Sequence, residues 1–432
     1  MLEAALRDHT ADTPATFELF TRALPPGRGF GVVAGTDRAL QAITNFKFDE
    51  SELEFLAEAE VVSGSTLEYL AKYKFSGGVR GIPEGGLFFG HTPILELKGS
   101  FAECLILETV LLSIFNHDSA VASAATRMVI AARGRPIVEM GSRRTHERSA
   151  VEAARAAYLV GASATSNLEA GRSYGIPTAG TVAHAFILAH DNEADAFRSQ
   201  FATQGAATTY LVDTFDIEQG IRNAVAIAGI GIGAIRIDSG DPHVEAQRAR
   251  QLLDSLGARS ARIVLSGDLD EFAIKDLQNA PIDSFGVGTR LVTGSGYPTC
   301  NFVYKLVAIG GSRSPRGVAK LSDDKVTFAG AKRPLRAFDV NGKLGLEVLG
   351  CENVATLGSL RDFGLAESAE VHRDLIAAGE RIFEPTLNES RNFHQCQLES
   401  LPRALLEIGG DVPTLRSLRY LGEGKMVPLN PD

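Results

Sequence analysis

Apolar positions along the chain recur in short unbroken runs, each closed by small or polar residues. The runs PIVEMGSRR (136–144), GASATSN (161–167), TAGTVAH (178–184), TYLVDTFD (209–216), AIRIDSGD (234–241), RIVLSGDLDE (262–271) and DSFGVGT (283–289) share this form. Helical patterns such as HERSAVEAARAAYLVG and HVEAQRARQLLDSLG lie between them. Strands that are apolar without alternation belong to parallel sheets covered on both faces. Seven such units predict a (β/α) barrel, complete or incomplete, in preference to a doubly wound open sheet. The polar residues gather at the C-terminal ends of the predicted strands, where such barrels hold their active sites.

The flanks read differently. Residues 1–98 alternate strand-like runs (FGVVAG, LFFG, PILELKG) with a helical DESELEFLAEAE, which predicts a small α/β or α+β unit. A helix-rich stretch follows from Phe101 to about Ala132. Its most apolar part, AECLILETVLLSIFNHDSA, is interrupted by Glu103, Glu108, His117 and Asp118. It falls short of the roughly 20 apolar residues a membrane span needs, so a buried helix is expected. After residue 292 the barrel pattern is lost. YKLVAIGGSRSPRGVAKLSDDKVTFAG predicts a loop-rich strand region, and 366–408 predicts two helices. Three segments result, 1–116, 117–292 and 293–432, the last packing on the first and ending in a helical tail.

Composition narrows the function. A chain of 432 residues with 44% hydrophobic and 22% charged residues can bury a large core. Its net charge of −10 argues against non-specific nucleic-acid binding, so phosphate chemistry needs local basic clusters. Cys104, Cys300, Cys351 and Cys396 show no zinc or disulfide spacing. The start, MLEAALRDHTADTP, has no signal-peptide character, and a reduced, cytoplasmic location is expected.

The chemistry-bearing motifs lie at the predicted strand tips. The glycines of AGIGIGAIRID precede their strand, whereas a dinucleotide fingerprint follows one, so they read as a helix-to-strand turn. GSRRTHER places Arg143, Arg144, His146 and Arg148 at a helix start, a position that disfavours cations unless an anion binds there. A solvated helix face is the equally good alternative. RIDSGD ends its strand with Arg236, Asp238, Ser239 and Asp241, either a buried salt bridge or a set suited to sugar hydroxyls, Mg2+ and an anion. SGDLDE repeats the Ser-Gly-Asp pattern one unit later, and FGVGT adds amides able to cradle a phosphate. Three such tips in succession favour a phosphorylated sugar as ligand. His184, read as lying within a strand, is either a hydrogen-bonded core residue or a nucleophile or proton carrier.

Together these segments resemble nicotinate phosphoribosyltransferase in its bacterial, actinobacterial-like form, a type II phosphoribosyltransferase. The resemblance runs from residue 1 to about 330. It rests on SFAECLILETVLLSIFNHDSAVASAA, EMGSRRTHERSAVEAARAAYLVGASATSN, GTVAHAF, IRIDSGD, SGDLDE and GVGT. It implies an α/β protein with an irregular, incomplete barrel beside an α/β sandwich built from both chain ends. The implied reaction joins nicotinate to phosphoribosyl pyrophosphate (PRPP), giving nicotinate mononucleotide and pyrophosphate, with ATP as co-substrate. The GTxAH motif makes His184 the phosphorylated histidine. Thr181, Arg236 and Met140 fall on the nicotinate side. Thr289, Arg143, Arg144, Asp238, Gly267, Asp268 and Gly288 fall on the PRPP side. No protein metal site is assigned; Mg2+ comes with PRPP and ATP, with Asp238 or Asp268 in reach. A homodimer with shared active sites is implied, with no nucleic-acid or membrane partner.

Two departures stand out. Met140 occupies a place where relatives commonly carry an aromatic. The family's T-D-x-Y-x-L-T-M pattern would end where this chain starts, so an internal start and an upstream Tyr are expected. Val182 after Thr181, where nicotinamide phosphoribosyltransferases carry an Asp, favours the acid over the amide. A quinolinate enzyme would need more cations and lacks the GTxAH histidine. A silent paralogue that binds PRPP or nucleotide is the remaining alternative.

Overall fold

Apolar runs closed by polar residues, and two chain ends of mixed pattern, build two separate units. The computed structural model describes residues 1–311, 315–320, 327–351, 363–420 and 426–429. It divides into one unit of Met1–Ala120 with Thr299–Asp432 and a second of Val121–Pro298.

In the first unit, a seven-stranded sheet runs in the order Arg316–Gly317, Val303–Ile309, Pro14–Phe20, Leu95–Ser100, Gly78–Gly81, Arg373–Ala377 and Glu380–Arg381. Neighbours are antiparallel throughout. Strands from the N-terminal segment thus lie between strands from the C-terminal one. Phe17 sits opposite Leu97 and stacks on Tyr304 with ring centroids 4.8 Å apart. Phe17, Leu19, Leu95 and Leu97 are all buried in the core. A second, five-stranded sheet holds Lys332–Phe338 and Leu344–Cys351 at its centre. Buried Glu18 of the first sheet accepts from Lys332 Nζ of the second at 2.6 Å. Without that cation the carboxylate would stand in the core uncompensated, a costly arrangement.

The apolar helical stretch forms as expected but as two helices, Phe101–Ile106 and Glu108–Ala132. The first opens with a capping box in which Ser100 and Glu103 satisfy each other's amides. Among the described residues, no helix is long and apolar enough to cross a membrane. The expectation of two helices over 366–408 is corrected. Only Leu387–Glu399 is an α-helix; Arg403–Leu406 is a short 3-10 turn, and the stretch before it forms strands. Arg373–Ala377 turns back on Glu380–Arg381 through Ala378 and Gly379, both at positive φ (48° and 78°). An alanine there carries no turn signal in sequence, since positive φ usually selects Gly or Asn. Parts of the expected loop-rich strand region, residues 312–314 and 321–326, lie outside the described residues.

The second unit carries six parallel strands: β1 (Ile137–Glu139), β2 (Ala164–Thr165), β3 (Thr209–Leu211), β4 (Ala234–Ile237), β5 (Arg262–Leu265) and β6 (Ser284–Val287). Their order is β2-β1-β6-β5-β4-β3. This is barrel order with one seam left unpaired, between β2 and β3. The seventh expected strand, TAGTVAH, shrinks to a single bridge from Thr178 to Thr165. Residues 179–183 have no regular structure, and His184 begins a short helix, His184–Leu188. A short apolar run flanked by Gly does not by itself tell a strand from a helix start. Residues 229–233 form the expected turn between the helix Ile217–Ala228 and β4.

Polar side chains start the helices of this unit, most of them just behind a strand tip. Asn167, Asn192, Asp216, Asp241 and Asp270 each accept amide hydrogens from the first turn of the following helix.

Candidate active site

Parallel strands bring all their C-terminal ends to one side, so the six tips of the second unit share a rim. At the tip of β3 the buried Asp213 is the organising group. Its Oδ1 accepts from His184 Nε2 at 3.2 Å. Its Oδ2 accepts from the Asp238 amide at 2.7 Å and the Ser239 hydroxyl at 3.0 Å. Asp213 therefore ties the helix in the seam to the tip of β4. Its side chain is fully buried while that of His184 is 43% exposed. With Asp213 as a carboxylate acceptor, Nε2 is the donor of this bond, and Nδ1 is the ring nitrogen turned away from it.

Beside this pair lies the guanidinium of Arg236 on β4. Its Nη1 donates to Thr181 Oγ1 at 2.6 Å, its Nε to Ser266 Oγ at 2.8 Å and its Nη2 to Asp238 Oδ1 at 3.0 Å. Ser266 also donates to Asp238. A guanidinium has five N–H groups, so two remain after these bonds. Just past the end of β5, Gly267 adopts φ 105°, and a Cβ there would lie 2.8 Å from Asp238 O. Asp268 follows at φ 41°, a strained setting for a non-glycine residue, with its side chain exposed at the rim.

The tips of β1 and β6 face each other through backbone. Met140 N–H donates to Val287 O at 2.7 Å. Gly141 packs so tightly that a Cβ would come within 2.2 Å of Val292 Cγ1 and 3.0 Å of Gly288 O. Thr289 opens the short helix Thr289–Val292 directly after Gly288. Arg143 and Arg144 lie in the turn after β1, closed by Arg144 N–H to Gly141 O at 2.8 Å, and both side chains are exposed. His146 caps the next helix by accepting from Arg148 N–H at 3.3 Å.

Direct hydrogen bonds thus gather Thr181, Arg236 and Asp238, and tie His184 to Asp238 through Asp213. Met140, Arg143, Arg144, Gly288 and Thr289 share the neighbouring β1/β6 tips. Asp241 caps the next helix: its Oδ1 accepts from the His243 and Val244 amides, and the residue is exposed. Three residues escaped the sequence reading. Asp213 and Ser266 hold the cluster above, and Glu139, at the end of β1, is fully buried beneath the arginine turn. Burial pushes the Glu139 carboxyl up, against hydrogen bonds from Thr165 and Gly141. Asp213 and Ser266 had a signal, polar residues closing apolar runs, but runs of that form also supply helix caps. Among the described residues, no group of three or more His, Cys, Asp or Glu is placed to hold a metal.

A parallel barrel sheet whose tips carry hydroxyls, carboxylates and arginines belongs to a recognisable class, and the comparisons with known proteins give its family. Residues 1–116 match the family model for the nicotinate phosphoribosyltransferase (NAPRTase) N-terminal domain, and residues 136–321 match that of the NAPRTase family. The chain is 48% identical over 427 residues to nicotinate phosphoribosyltransferase pncB1 of Mycobacterium tuberculosis, covering 96% of this chain and 92% of that one. It is 38% identical over 347 residues to the nicotinate phosphoribosyltransferase of Bacillus subtilis, covering 78% and 71%. The crystal structure of human nicotinic acid phosphoribosyltransferase shares the fold, with TM-score 0.84 and 24% identity over 98% of this chain and 96% of that one. The chain belongs to the nicotinate phosphoribosyltransferase family.

Proposed function

We propose that the protein joins nicotinate to PRPP, giving nicotinate mononucleotide and pyrophosphate for NAD biosynthesis from nicotinate. ATP hydrolysis is coupled to the step through a phosphorylated His184. The carrying observation is the linked pair of clusters at the β3–β5 tips: Thr181–Arg236–Asp238–Ser266 beside His184–Asp213.

Arg236 is held at one orientation by three bonds, and its two remaining N–H groups suit a carboxylate. Thr181 and Arg236 bind the nicotinate carboxylate, and the Met140 thioether lies against the ring. The pyridine nitrogen is already nucleophilic and attacks the ribose C1. The bond from C1 to the pyrophosphate oxygen breaks, and pyrophosphate leaves with that electron pair. Positive charge grows on the sugar in the transition state, so the work of the protein is positioning and electrostatic stabilisation. Arg143, Arg144, Thr289 and the Gly267 and Gly288 amides hold the phosphates, with Asp238 and Asp268 toward ribose hydroxyls.

His184 Nδ1 takes the γ-phosphoryl group of ATP, releasing ADP, while Asp213 keeps the proton on Nε2 and stabilises the charge on the ring; water then breaks the N–P bond, releasing inorganic phosphate and restoring the free imidazole. Mg2+ enters with PRPP and ATP; exposed Asp268 and half-buried Asp238 fit a metal that substrate phosphates bring, since Mg2+ commonly takes one or two carboxylates plus phosphates. The enzyme works in the cytoplasm as a homodimer with shared active sites. Exposed Leu168, Phe215, Val244 and Phe272, each at the head of the helix after β2, β3, β4 and β5, support a partner surface around this rim.

The test is an assay of purified protein with nicotinate, PRPP and Mg2+, with and without ATP, following nicotinate mononucleotide. No product under any of these conditions sinks the proposal. Product without ATP stimulation sinks the coupling alone.

A further inference from the structure

The reaction above gives no role to Glu139, a fully buried carboxylate at the end of β1. Its Oε1 accepts from the Gly141 amide and its Oε2 from Thr165 Oγ1 at 2.6 Å. Thr165 Oγ1 in turn accepts from the Asn167 amide at 3.0 Å, and Asn167 Nδ2 donates to Ser142 Oγ at 3.0 Å. The Ser166 amide donates to Glu139 O at 2.8 Å. These bonds close a ring that starts at Glu139, crosses to the tip of β2, and returns to Ser142 in the turn that carries Arg143 and Arg144.

A carboxylate moved from water into a protein interior carries a large penalty unless a cation or several donors offset it. No Lys, Arg or His pairs with Glu139 among the described residues; its offsets are the Thr165 hydroxyl and the Gly141 amide. A neutral core residue would avoid the penalty altogether, so stability alone does not account for an acid here. What the carboxylate achieves is geometric. It presents two acceptors to donors on two different strand tips, and one of those donors is the amide at the base of the arginine turn. Gly141 has no space for a side chain, so no side chain of its own can anchor the turn at that point.

We propose that Glu139 is a positioning residue for the leaving-group side of the reaction. It fixes the Gly141–Arg144 turn against β2 and so sets where the two arginines meet the phosphates of PRPP. The proposal rests on the assignment of Arg143 and Arg144 to PRPP. The acid is not asked to move a proton or to touch substrate.

The experiment compares wild type with Glu139→Ala, Glu139→Gln and Thr165→Val in the full chain. It measures PRPP affinity with Mg2+ by calorimetry and the KM for nicotinate at saturating PRPP. Loss of a hydrogen bond to a charged group is worth about tenfold or more. Glu139→Ala is expected to weaken PRPP about tenfold while moving the nicotinate KM less than about twofold. Glu139→Gln keeps an acceptor for Gly141 and is expected to recover most of the affinity. Thr165→Val, which preserves volume, is expected to weaken PRPP about threefold, and it carries the test if Glu139→Ala does not fold. Unchanged PRPP affinity in both Glu139→Ala and Thr165→Val overturns the proposal. So do equal losses for both substrates, which mean general loosening. If wild type itself fails to bind PRPP, the functional assignment beneath the proposal is what fails.

Discussion

The rim has two halves built by different means. At the tips of β3, β4 and β5, side chain holds side chain: Asp213 holds His184, and Arg236 is tied to Thr181, Ser266 and Asp238. At the tips of β1 and β6, backbone meets backbone above the buried Glu139: Met140 N–H meets Val287 O and Gly141 lies against Gly288, while the Arg143 and Arg144 side chains are exposed. The first half is set before any ligand arrives, so binding there costs little side-chain entropy. The second must order two long side chains, at about 0.5–1.5 kcal/mol each. On the proposed reaction this division makes sense. The pyridine ring must be selected by a fixed carboxylate receptor, whereas a multiply charged diphosphate can be drawn in by mobile cations on a rigid frame.

The deepest cut into this contrast is at His184. His184→Ala is expected to abolish ATP-dependent phosphorylation of the protein and ATP stimulation of product formation, leaving a slower ATP-independent reaction. Acid-labile, base-stable 32P incorporation is the readout. Asp213→Asn keeps the shape but can present an amide N–H to the ring, and the Asn carbonyl cannot serve His184 and the β4 tip together. Labelling is expected to fall at least about tenfold, by analogy with other oriented His–Asp pairs. Full labelling in the Asn variant would mean that Asp213 does not set the imidazole.

Next in size is the carboxylate receptor. Arg236→Ala removes a charged hydrogen-bonded partner and leaves Asp238 without its cation. A cost of about 2–3 kcal/mol, or roughly 100-fold in kcat/KM for nicotinate, is expected. The same argument gives wild type a preference for nicotinate over nicotinamide of about 100-fold. Thr181→Val should cost less, about tenfold, since Arg236 keeps two of its three anchors. If nicotinamide is turned over as well as nicotinate, this half of the rim is not an acid receptor.

Smaller effects are expected from the other half, with a different signature. Arg144→Ala and Thr289→Ala should each raise the KM for PRPP about tenfold and leave that for nicotinate within about twofold. Because Arg144 is exposed, its contribution should shrink as salt rises from about 0.05 to 0.5 M, while that of the half-buried Arg236 should persist. Equal salt sensitivity at the two arginines would erase the distinction between a preset and a mobile half.

Much of this site was legible because strand tips of a parallel sheet announce themselves: an apolar run, then Gly, Ser or Asp. That pattern located Arg236, Asp238, Gly267, Asp268, Gly288 and Thr289 on their tips. It failed for His184, which it put inside a strand, because Val182 and Ala183 continue an apolar run whose backbone does not pair. It also passed over Asp213 and Glu139. Their partners are 29 and 26 residues away, across the sheet, and no local spacing encodes a bond between strand tips. Asp241 shows a role the pattern does not separate, since an Asp after a strand also caps the next helix. The fold of the barrel unit followed from periodicity, apart from the strand that dwindled to one bridge. The hairpin at Ala378 did not, since its positive φ is imposed by tertiary context.

The smallest expected effect lies where the two halves meet. Met140 belongs to the backbone-built half, yet its side chain leans toward the other. A Cβ placed on Gly286 would stand 2.8 Å from Met140 Sδ and 3.2 Å from Ser266 Cβ, so the thioether and the serine that anchors Arg236 flank the same glycine. A ring at position 140 would cover the same ground with a flat face. Aromatic pairs contribute about 0.5–1.5 kcal/mol beyond burial, whereas a thioether on a ring gives about 0.3–1.5. The gain from Met140→Phe is therefore the difference of two similar quantities, and a two- to threefold fall in the nicotinate KM is the expected size. Phe is also stiffer than Met, and the space over Gly286 is narrow. If the ring is too large, it will push Gly141 and the arginine turn with it, and the KM for PRPP will rise while that for nicotinate stays put. The two outcomes separate cleanly in steady-state kinetics with each substrate varied in turn. A lower nicotinate KM alone would show the halves to be independent at their border; a higher PRPP KM would show that residue 140 couples them.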